Sequence, residues 1–382
     1  MTMRIVLVIS NLRWGGAEIQ VIGLARALCE RGHAVAIYTL GRHNPRADEL
    51  EGSGVQLVAD QKRSKLDPLV ILRLRRFLRQ FRADIVHGFL YDGDLYSRLA
   101  AAGTGIPVLN SERSDNYRLK PLQQAGLWLT RHLAAGLVAN THAGARFAGK
   151  LFRLPPERLH VVWNAIDLAA VDERCRVSDR DYRREFFLSP DIKMATLVGN
   201  ITPTKDYLLA LDLADYLTRA HASWRVLFVG EQMTDTGGYK SRVMQRFHTL
   251  GLADRATFVG LRRDAVEIMH QSNVVFSTSH HEGFPNVVLE AMAVGTPVIS
   301  TAYSDIRMIL PEPWQVVDER AAEPLAAAIL RADSAHESLK AAQRAWVAQH
   351  AMMGAAAQGL ESVYQRYICR AAVAAPAPVN RH

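Results

Sequence analysis

Short runs of apolar residues alternate along the chain with stretches in which apolar residues recur every three or four positions. The run Arg4–Ile9 is typical of a parallel strand that is covered on both faces. Ala17–Arg31 has the spacing of an amphipathic helix that ends at Gly32, and Val35–Thr39 is the next apolar run. This order predicts a βαβ unit with a parallel, right-handed crossover.

The same alternation continues and then starts a second time. In the first half, the pattern predicts strands at Val55–Val58, Ile85–His87, Val108–Ser111, Gly136–Asn140 and Leu159–Trp163, and helices at Pro68–Phe81, Asp94–Gly103 and Leu122–Ala134. In the second half, it predicts strands at Met194–Val198, Arg225–Val229, Thr257–Val259, Asn273–Thr278 and Val298–Ser300, and helices at Asp206–Arg219, Tyr239–Leu250, Asp264–Gln271 and after Pro285. Two such series predict an α/β protein of two doubly wound, Rossmann-like domains that face each other across a cleft.

The predicted domains are residues 1–168 and 169–350. We interpret the charged stretch 172–184 as the neighbourhood of the linker between them. The helical pattern Leu360–Tyr367 has no strand after it, so residues 351–373 are predicted as a C-terminal helix that either caps the second domain or crosses back onto the first. Residues 374–382 are rich in Ala and Pro and are predicted to be disordered.

Composition narrows the class of protein. The chain has 382 residues, 49% of them apolar and 22% charged, which is typical of a folded protein with two domains. Its formal charge of +8 favours anionic partners. The three cysteines form no CxxC pair, which argues against a disulfide framework or a structural zinc. The N-terminal apolar run is too short for a signal peptide and no run is long enough to span a membrane, so we expect a cytoplasmic protein.

The most informative stretch is 273–300. A buried-type strand runs into a polar turn, and a helix begins after Pro285; Glu282 lies in the turn and Glu290 in the helix. A helix that starts after a strand presents free N–H groups and the positive end of its dipole to an anion. The two carboxylates are suited to accept hydrogen bonds from hydroxyl groups. The stretch therefore predicts a site for a ligand that is both phosphorylated and polyhydroxylated.

In each half of the chain, a glycine-containing turn follows the first strand. Gly15 and Gly16 either let backbone approach a ligand closely or form a tight turn that needs positive φ. Lys205 lies five residues beyond Asn200, at the start of a predicted helix. It is either a point charge for a diphosphate or a solvated lysine in a loop.

For most of the other polar candidates, the sequence favours an ordinary structural role. Asp92 and Asp94 form a DxD pattern, but a helix cap explains it better than a divalent metal ion. His280 and His281 are adjacent and therefore point in different directions, so they form no chelate. His87 ends a predicted strand and would face the cleft, where a single histidine is either structural or catalytic. We expect no metal and no other cofactor.

The predicted helix Pro68–Phe81 is basic and amphipathic. It carries Arg73, Arg75, Arg76 and Arg79 without any acidic residue. Such a helix suits the anionic surface of a membrane, or else packs on the core with its arginines solvated. No nucleic-acid-binding motif accompanies the charge, so we expect no nucleic-acid partner.

The sequence Glu282-Gly283-Phe284-Pro285-Asn286-Val-Val-Leu-Glu290, with the Ala-Met-Ala-Val-Gly-Thr-Pro-Val that follows, resembles the E-x7-E motif of retaining glycosyltransferases with the GT-B fold. The resemblance is to glycosyltransferase family 4, whose members make bacterial polysaccharides and glycolipids. It covers nearly the whole chain and includes Gly15-Gly16-Ala17-Glu18, Val259-Gly260-Leu261-Arg262 and Asn164-Ala-Ile-Asp167. It also implies that the C-terminal helix crosses back to the first domain.

The resemblance implies roles for these residues. Glu282 would hold the hydroxyls of the donor sugar and Glu290 those of the ribose, while the backbone at 283–286 would approach the sugar and the diphosphate. Lys205, in the turn that begins at Gly199, would neutralise the diphosphate. Gly15 and Gly16 would let the first domain close on the donor, and the loop Gly260–Arg262 would meet the nucleobase mainly through its backbone.

Two positions depart from the family pattern. Asn200 stands where the family usually has an arginine, so that one of two cations on the leaving group is missing. The histidine that the family often has after the fifth strand is not evident in Leu109–Asp115, where Arg113 or Glu112 would take its place. The residues expected to act on the reacting bond are thus Glu282, Lys205 and Asn200, with Arg113 and His87 as further candidates.

The implied activity is transfer of a hexose, with retention and without a metal, from a UDP- or GDP-sugar to a lipid-linked or saccharide acceptor. Two alternatives remain: a sugar-nucleotide epimerase of similar two-domain shape, and a silent sugar-nucleotide-binding protein.

Overall fold

The structure is a computed structural model that describes residues 2–64, 67–113, 119–231 and 236–374. The chain divides into two compact units. The first unit consists of Met1–Ala165 and Met353–His382, and the second of Ile166–Met352. Of the tail predicted to be disordered, 375–382 lie outside the described residues.

The first unit is built on a seven-stranded sheet. Its strands are β1 (Arg4–Ile9), β2 (Ala34–Thr39), β3 (Gln56–Ala59), β4 (Ile85–Phe89), β5 (Val108–Glu112), β6 (Gly136–Ala139) and β7 (Leu159–Val161), all paired in parallel in the order β3-β2-β1-β4-β5-β6-β7. Its helices are α1 (Gly16–Glu30), α2 (Pro68–Phe81), α3 (Leu90–Ala101), α4 (Pro121–Leu129), α5 (His142–Phe152) and the C-terminal α15 (Met353–Ala374).

Alternate residues of β1 enter two separate cores. Ile5, Leu7 and Ile9 pack with α1 and α15, whereas Val6 and Val8 pack with α2 and α3. Because side chains alternate along a strand, helices therefore cover both faces of this sheet.

The second unit has a six-stranded parallel sheet. Its strands are β8 (Lys193–Val198), β9 (Trp224–Val229), β10 (Ala256–Gly260), β11 (Val274–Ser277), β12 (Val298–Thr301) and β13 (Val316–Val317), in the order β10-β9-β8-β11-β12-β13. Its helices are α6 (Leu168–Val177), α7 (Tyr182–Glu185), α8 (Tyr207–Ala220), α9 (Tyr239–Thr249), α10 (Ala265–His270), α11 (Asn286–Ala293), α12 (Ile306–Ile309), α13 (Ala322–Ser334) and α14 (His336–His350). The prediction of two doubly wound Rossmann-like domains is confirmed.

Some local predictions were wrong. The stretch 172–184 is not a linker, because it forms parts of α6 and α7 and the segment between them, all within the second unit. Two ion pairs, Arg174–Glu267 (2.9 Å) and Arg180–Asp264 (2.6 Å), join this stretch to the rest of that unit. The elements that were not predicted are helices α5, α6, α7, α12, α13 and α14 and the two-residue strand β13. In α5, alanines and glycines interrupt the apolar periodicity, and the helix is marked chiefly by its cap, in which the Thr141 hydroxyl accepts a hydrogen bond from Gly144 N.

Candidate functional site

Two loops of the second unit meet at the carboxyl edge of its sheet. Strands β8 and β11 are neighbours, so the loop after Val198 and the loop after Ser277 emerge side by side. His280 N donates to Thr204 O at 2.8 Å, and the Thr278 hydroxyl donates to Lys205 O at 2.7 Å. These bonds join the two loops at the place where doubly wound sheets bind ligands.

Lys205 and Glu282 come together between these loops. Lys205 Nζ lies 2.7 Å from Glu282 Oε1, and the Ser279 hydroxyl donates to the same carboxylate oxygen at 2.8 Å. The two charged side chains are 23% and 19% exposed, so the ion pair is mostly enclosed but still reaches solvent. A cation and a carboxylate are thereby available to one ligand.

Gly199 allows Lys205 to take this position. Its φ of 154° lies in a region that favours glycine, and a Cβ at this position would lie 2.8 Å from Lys205 Cε. Gly230 packs against this turn, since a Cβ at position 230 would lie 2.1 Å from Gly199 O. Asn200, the next residue, is exposed. The side chain of Lys205 thus lies against the backbone of Gly199.

Helix α11 begins directly after the loop that carries Glu282. Pro285 precedes the first turn and its side chain makes no capping hydrogen bond, whereas Phe284 is buried beneath the loop. The first N–H groups of a helix have no partner within the helix, which suits them to an anion. Glu290 lies on this helix and is half-buried. A cavity lined by Lys205, Ser279, Pro285, Val287 and Tyr303, among others, opens beside the loop.

Asp206, His280 and Arg320 brace this site, although the sequence analysis assigned them no role. Asp206 Oδ2 accepts a hydrogen bond from Arg320 Nη2 at 2.7 Å and lies 3.0 Å from His280 Nε2. Arg320 also donates to the carbonyls of Thr278 and Ser279. Burial, and then the charge of Arg320, lower the pKa of His280. No local pattern could have identified Arg320, because it lies 41 residues beyond Ser279.

Tyr303 also lies at this site, and no sequence pattern indicated it. Its side chain is buried and lines the cavity. Burial and the nearby charge of Glu282 raise its pKa, so the phenol stays protonated and can donate.

Arg262 is committed to an internal ion-pair network. Its guanidinium lies 2.7 Å from Asp264 and 2.6 Å from Glu185, and these carboxylates raise its pKa. Gly260 has a φ of 74°. Any contact of this loop with a nucleobase would therefore use backbone, as predicted for the loop, rather than the arginine side chain.

In the first unit, Gly15 and Gly16 lie at the start of α1. The alternative interpretation, a turn that needs positive φ, is wrong, because Gly15 has a φ of −120°. The glycine instead leaves room for a side chain: a Cβ at position 15 would lie 2.1 Å from Glu18 Oε2 where that carboxylate now lies. The carboxylate of Glu18 thus lies against the bare backbone of Gly15.

His87 does not lie where the sequence predicted. Strand β4 continues to Phe89, and His87 is 0% exposed inside it. Its Nδ1 lies 2.7 Å from the hydroxyl of Tyr364 and its Nε2 lies 2.8 Å from that of Ser111, while burial holds its pKa well below the usual value. Both ring nitrogens are therefore engaged within the core.

Arg113 follows β5 and is a partly buried cation. Its Nη1 donates to Asn164 Oδ1 at 2.8 Å, its guanidinium lies 5.0 Å from the ring centroid of Phe89, and its buried Nε has no partner among the described residues. Burial lowers its pKa to about 10. Glu112, the other candidate at this position, is buried within β5.

Asp92 and Asp94 have different partners. Asp92 accepts from Lys62 Nζ at 2.6 Å, whereas buried Asp94 accepts from Ser111 N at 3.3 Å. The prediction that they cap a helix was wrong, since α3 begins at Leu90. Among the described residues, no group of three or more His, Cys, Asp or Glu side chains is arranged to hold a metal ion.

Two of the four arginines predicted for membrane contact are engaged within the protein. Arg73 pairs with Asp60 at 2.9 Å, and Arg75 donates to the carbonyls of Leu99, Ala100 and Ala102. Within the described part of the chain, no helix has the length and apolar character needed to cross a bilayer.

Comparison with known proteins identifies the family of the chain. Residues 14–170 match the family model described as Glycosyltransferase Family 4, and residues 178–345 match the one described as Glycosyl transferases group 1. The Vi polysaccharide biosynthesis protein VipC/TviE of Salmonella typhi is 26% identical over 200 residues, which are 52% of this chain and 33% of that protein. A D-inositol 3-phosphate glycosyltransferase of Segniliparus rotundus is 26% identical over 387 residues, covering 92% of this chain and 84% of that protein.

Solved structures share the fold. A glycosyltransferase from Rickettsia africae superposes with a TM-score of 0.80 at 16% identity and covers 95% of this chain and 98% of its own. Anabaena Alr3699/HepE, solved in complex with UDP-glucose, superposes with a TM-score of 0.79 at 18% identity and covers 95% and 100%. With both family models matched in order and this fold, the chain belongs to the family 4 glycosyltransferases of the GT-B fold.

Proposed function

We propose that this glycosyltransferase moves a hexose from a UDP- or GDP-sugar to a lipid-linked or saccharide acceptor, with retention of configuration and without a metal ion. The observation that carries the proposal is the meeting of Lys205, Glu282 and the N-terminus of α11 at one sheet edge. The roles of these residues in donor binding are part of the proposal.

The arrangement suits the charges of the reaction. Breaking the bond between a sugar and a diphosphate leaves negative charge on the diphosphate and develops positive charge on the sugar ring. A preformed lysine and the free N–H groups of a helix start stabilise the negative charge without having to reorganise. Lys205 and the start of α11 are placed to supply both, and Asn200 can add hydrogen bonds where the family has a second cation.

Glu282 and Glu290 are proposed to accept hydrogen bonds from hydroxyl groups of the donor. Glu282 is already engaged by Ser279 and Lys205, so it is an anchor for a sugar rather than a base held ready for proton transfer. In a retaining reaction of this family, the acceptor attacks on the face from which the phosphate leaves, and the leaving phosphate takes the acceptor's proton. No carboxylate pair at hydrolase spacing is then needed.

The comparisons favour a uridine donor and a cell-surface product. Alr3699/HepE was solved with UDP and with UDP-glucose, and VipC/TviE is named for polysaccharide biosynthesis. The D-inositol 3-phosphate glycosyltransferases favour a small phosphorylated acceptor instead. We place the reaction in bacterial polysaccharide or glycolipid synthesis, in the cytoplasm and at the inner face of its membrane, with Arg76 and Arg79 as the arginines of α2 that keep the predicted membrane contact.

The test is a mixed pool of nucleotide-sugars incubated with lipid-linked and free saccharide acceptors, followed by mass spectrometry of the products. Release of UDP or GDP together with a glycosylated acceptor supports transfer. Interconversion of donor sugars without an acceptor would show an epimerase instead. Tight donor binding without turnover on any acceptor would show a silent binding protein.

A further inference from the structure

The outward face of α4 is apolar. Leu122 is 84% exposed, Leu129 is 62% exposed and Trp128 is 39% exposed, all on a helix of nine residues. Leu122 and Leu129 are seven positions apart and therefore lie on one side of the helix, with Trp128 next to them. The opposite side carries Leu127, which is buried in a cluster shared with α5. Single exposed leucines are common, but a helix that is apolar on both sides needs an explanation.

The stretch of sequence that contains α4 is basic without any acid. Residues 119–156, which include α4 and α5, contain no Asp or Glu, and their cations are Lys120, Arg131, Arg146, Lys150 and Arg153. On α5, Arg146 and Lys150 are exposed and four positions apart, so they share a helix face. An anion that covers this region meets no opposing carboxylate from these residues.

Arg131 holds the indole of Trp128. The Arg131 guanidinium lies 3.8 Å from the ring centroid, and its Nη1 donates to Trp128 O at 2.7 Å. This contact fixes an aromatic ring and a cation side by side at the end of the helix. Tryptophan and long basic side chains are the residues that settle at the headgroup level of a bilayer.

We propose that α4 and α5 form a docking surface for an anionic lipid bilayer. Leu122, Trp128 and Leu129 enter the boundary between headgroups and acyl chains, while Lys120, Arg131 and Lys150 meet the phosphates. A bilayer satisfies both observations, since it offers apolar depth and a continuous anionic surface. A nucleic acid would satisfy only the cations. This surface differs from the one predicted on α2, where Arg73 and Arg75 are already engaged.

The experiment measures flotation of the full chain with vesicles of phosphatidylcholine, alone or mixed with phosphatidylglycerol. The wild type is expected to bind the mixed vesicles and to lose binding as salt is raised. The double change Leu122→Ala and Leu129→Ala is expected to lower the partition coefficient about tenfold or more, because two leucines no longer enter the bilayer. Arg146→Gln with Lys150→Gln is expected to weaken binding and to reduce its salt dependence.

The matched control is Val177→Ala with Phe187→Ala, which removes two side chains of the second unit that are 59% and 96% exposed. This variant is expected to bind as the wild type does. Unchanged binding by the Leu122 and Leu129 variant, or an equal loss in the control, would overturn the proposal. So would a wild type that binds neither vesicle, or a loss of binding confined to Arg76→Gln with Arg79→Gln. No donor or acceptor is present, so the outcome is independent of the transferase activity.

Discussion

Lys205 Nζ lies 2.7 Å from Glu282 Oε1, so the cation assigned to the diphosphate is neutralised by the carboxylate assigned to the sugar. We infer that a bound donor breaks this ion pair and gives each of the two side chains a new partner. A diphosphate that attracts Lys205 leaves Glu282 available for sugar hydroxyls, while Ser279 keeps its 2.8 Å hydrogen bond to the carboxylate. The two ends of the donor are then recognised together, because neither charge is left unpaired.

The first prediction is that Lys205 and Glu282 are energetically coupled. Lys205→Ala is expected to cost about 2–4 kcal/mol of transition-state stabilisation, since it removes the charge opposite the leaving group. Combined with Glu282→Ala, the loss in kcat/KM should differ from the sum of the single losses by about 0.5–3 kcal/mol, as expected for residues in contact. The measurement is a double-mutant cycle on nucleotide release in the presence of acceptor.

The control is the pair Lys193–Asp333, whose charged atoms lie 2.6 Å apart in the same unit. Lys193 opens β8 and so lies at the end of the strand opposite to Lys205. Changing both residues of this pair to alanine should leave kcat/KM near the wild-type value. Wild-type rates in both Lys205→Ala and Glu282→Ala would refute the site.

The second prediction concerns Glu290, on helix α11. Glu290→Ala is expected to cost about 2–4 kcal/mol in kcat/KM, because a hydrogen-bonding partner of the bound donor is lost beside the reacting phosphates. Titration of UDP by calorimetry should show weaker binding as well, since the ribose is retained in UDP. Exposed Glu323 lies in the first turn of α13 in the same unit and gives the control Glu323→Ala. Equal UDP affinity in wild type and Glu290→Ala would rule out the ribose contact.

The third prediction is a gain of affinity at position 200. Asn200 is exposed next to Gly199, and an arginine there would restore the second cation of the family pattern. Asn200→Arg is expected to tighten UDP binding roughly three- to tenfold, more at low salt than at high salt. Asn200→Gln serves as the control for side-chain length without charge. If both variants bind UDP equally, charge at this position does not act on the diphosphate.

Sequence patterns predicted every strand of the described residues except the two-residue β13, and they predicted the local motif. Buried parallel strands are continuous apolar runs, and Glu282 and Glu290 belong to one contiguous stretch, so both could be read along the chain. The partners of that stretch could not. Lys205 meets Glu282 only because β8 pairs with β11, and the order of strands in a sheet does not follow from their order along the chain. Arg320 and Tyr303 reach the site from later loops for the same reason.

The reasons for individual residues were harder to predict than the elements. Gly15 has an ordinary φ of −120° and lies against the carboxylate of Glu18, a contact that only side-chain packing reveals. His87 was predicted at the end of a strand, but the strand continues for two more residues. Its imidazole ring is enclosed by Ser111 and Tyr364. Tyr364 comes from the distant helix α15, so no local sequence signal announces this contact.

The fourth prediction is that activity survives removal of metal ions. Lys205 and the N–H groups at the start of α11 are proposed to supply the positive charge that a metal would otherwise supply. Treatment with EDTA should leave the initial rate of nucleotide release unchanged, and adding Mg²⁺ or Mn²⁺ should not raise it. A loss that Mg²⁺ or Mn²⁺ restores would contradict the prediction. In that case, Asp92→Asn and Asp94→Asn would be the next variants to measure.

The fifth prediction is a dependence of stability on pH that originates at Asp94. Burial raises the pKa of this carboxyl to about 7, against the opposing effects of the Arg98 charge and of the hydrogen bond from Ser111 N. In the unfolded chain the pKa is about 4. The folded state therefore binds more protons between about pH 4 and 7, and the contribution of Asp94 to the free energy of unfolding falls as the pH rises through this window. Above the folded pKa, the contribution is constant.

Asp94→Asn should remove this contribution and keep a neutral side chain of the same size at the site. The free energy of unfolding, measured with urea at steps between about pH 4 and 8, should fall less steeply with pH in the variant than in the wild type, by at most about 1.4 kcal/mol per pH unit for one proton. Asp48→Asn, which removes an exposed carboxylate of the same unit, should follow the wild-type curve. Burial also lowers the pKa of His87, which opposes the effect of Asp94 below about pH 6.5, so the quantity to compare is the difference between variant and wild type. Parallel curves for wild type and Asp94→Asn would show that this carboxyl titrates alike in the folded and unfolded states.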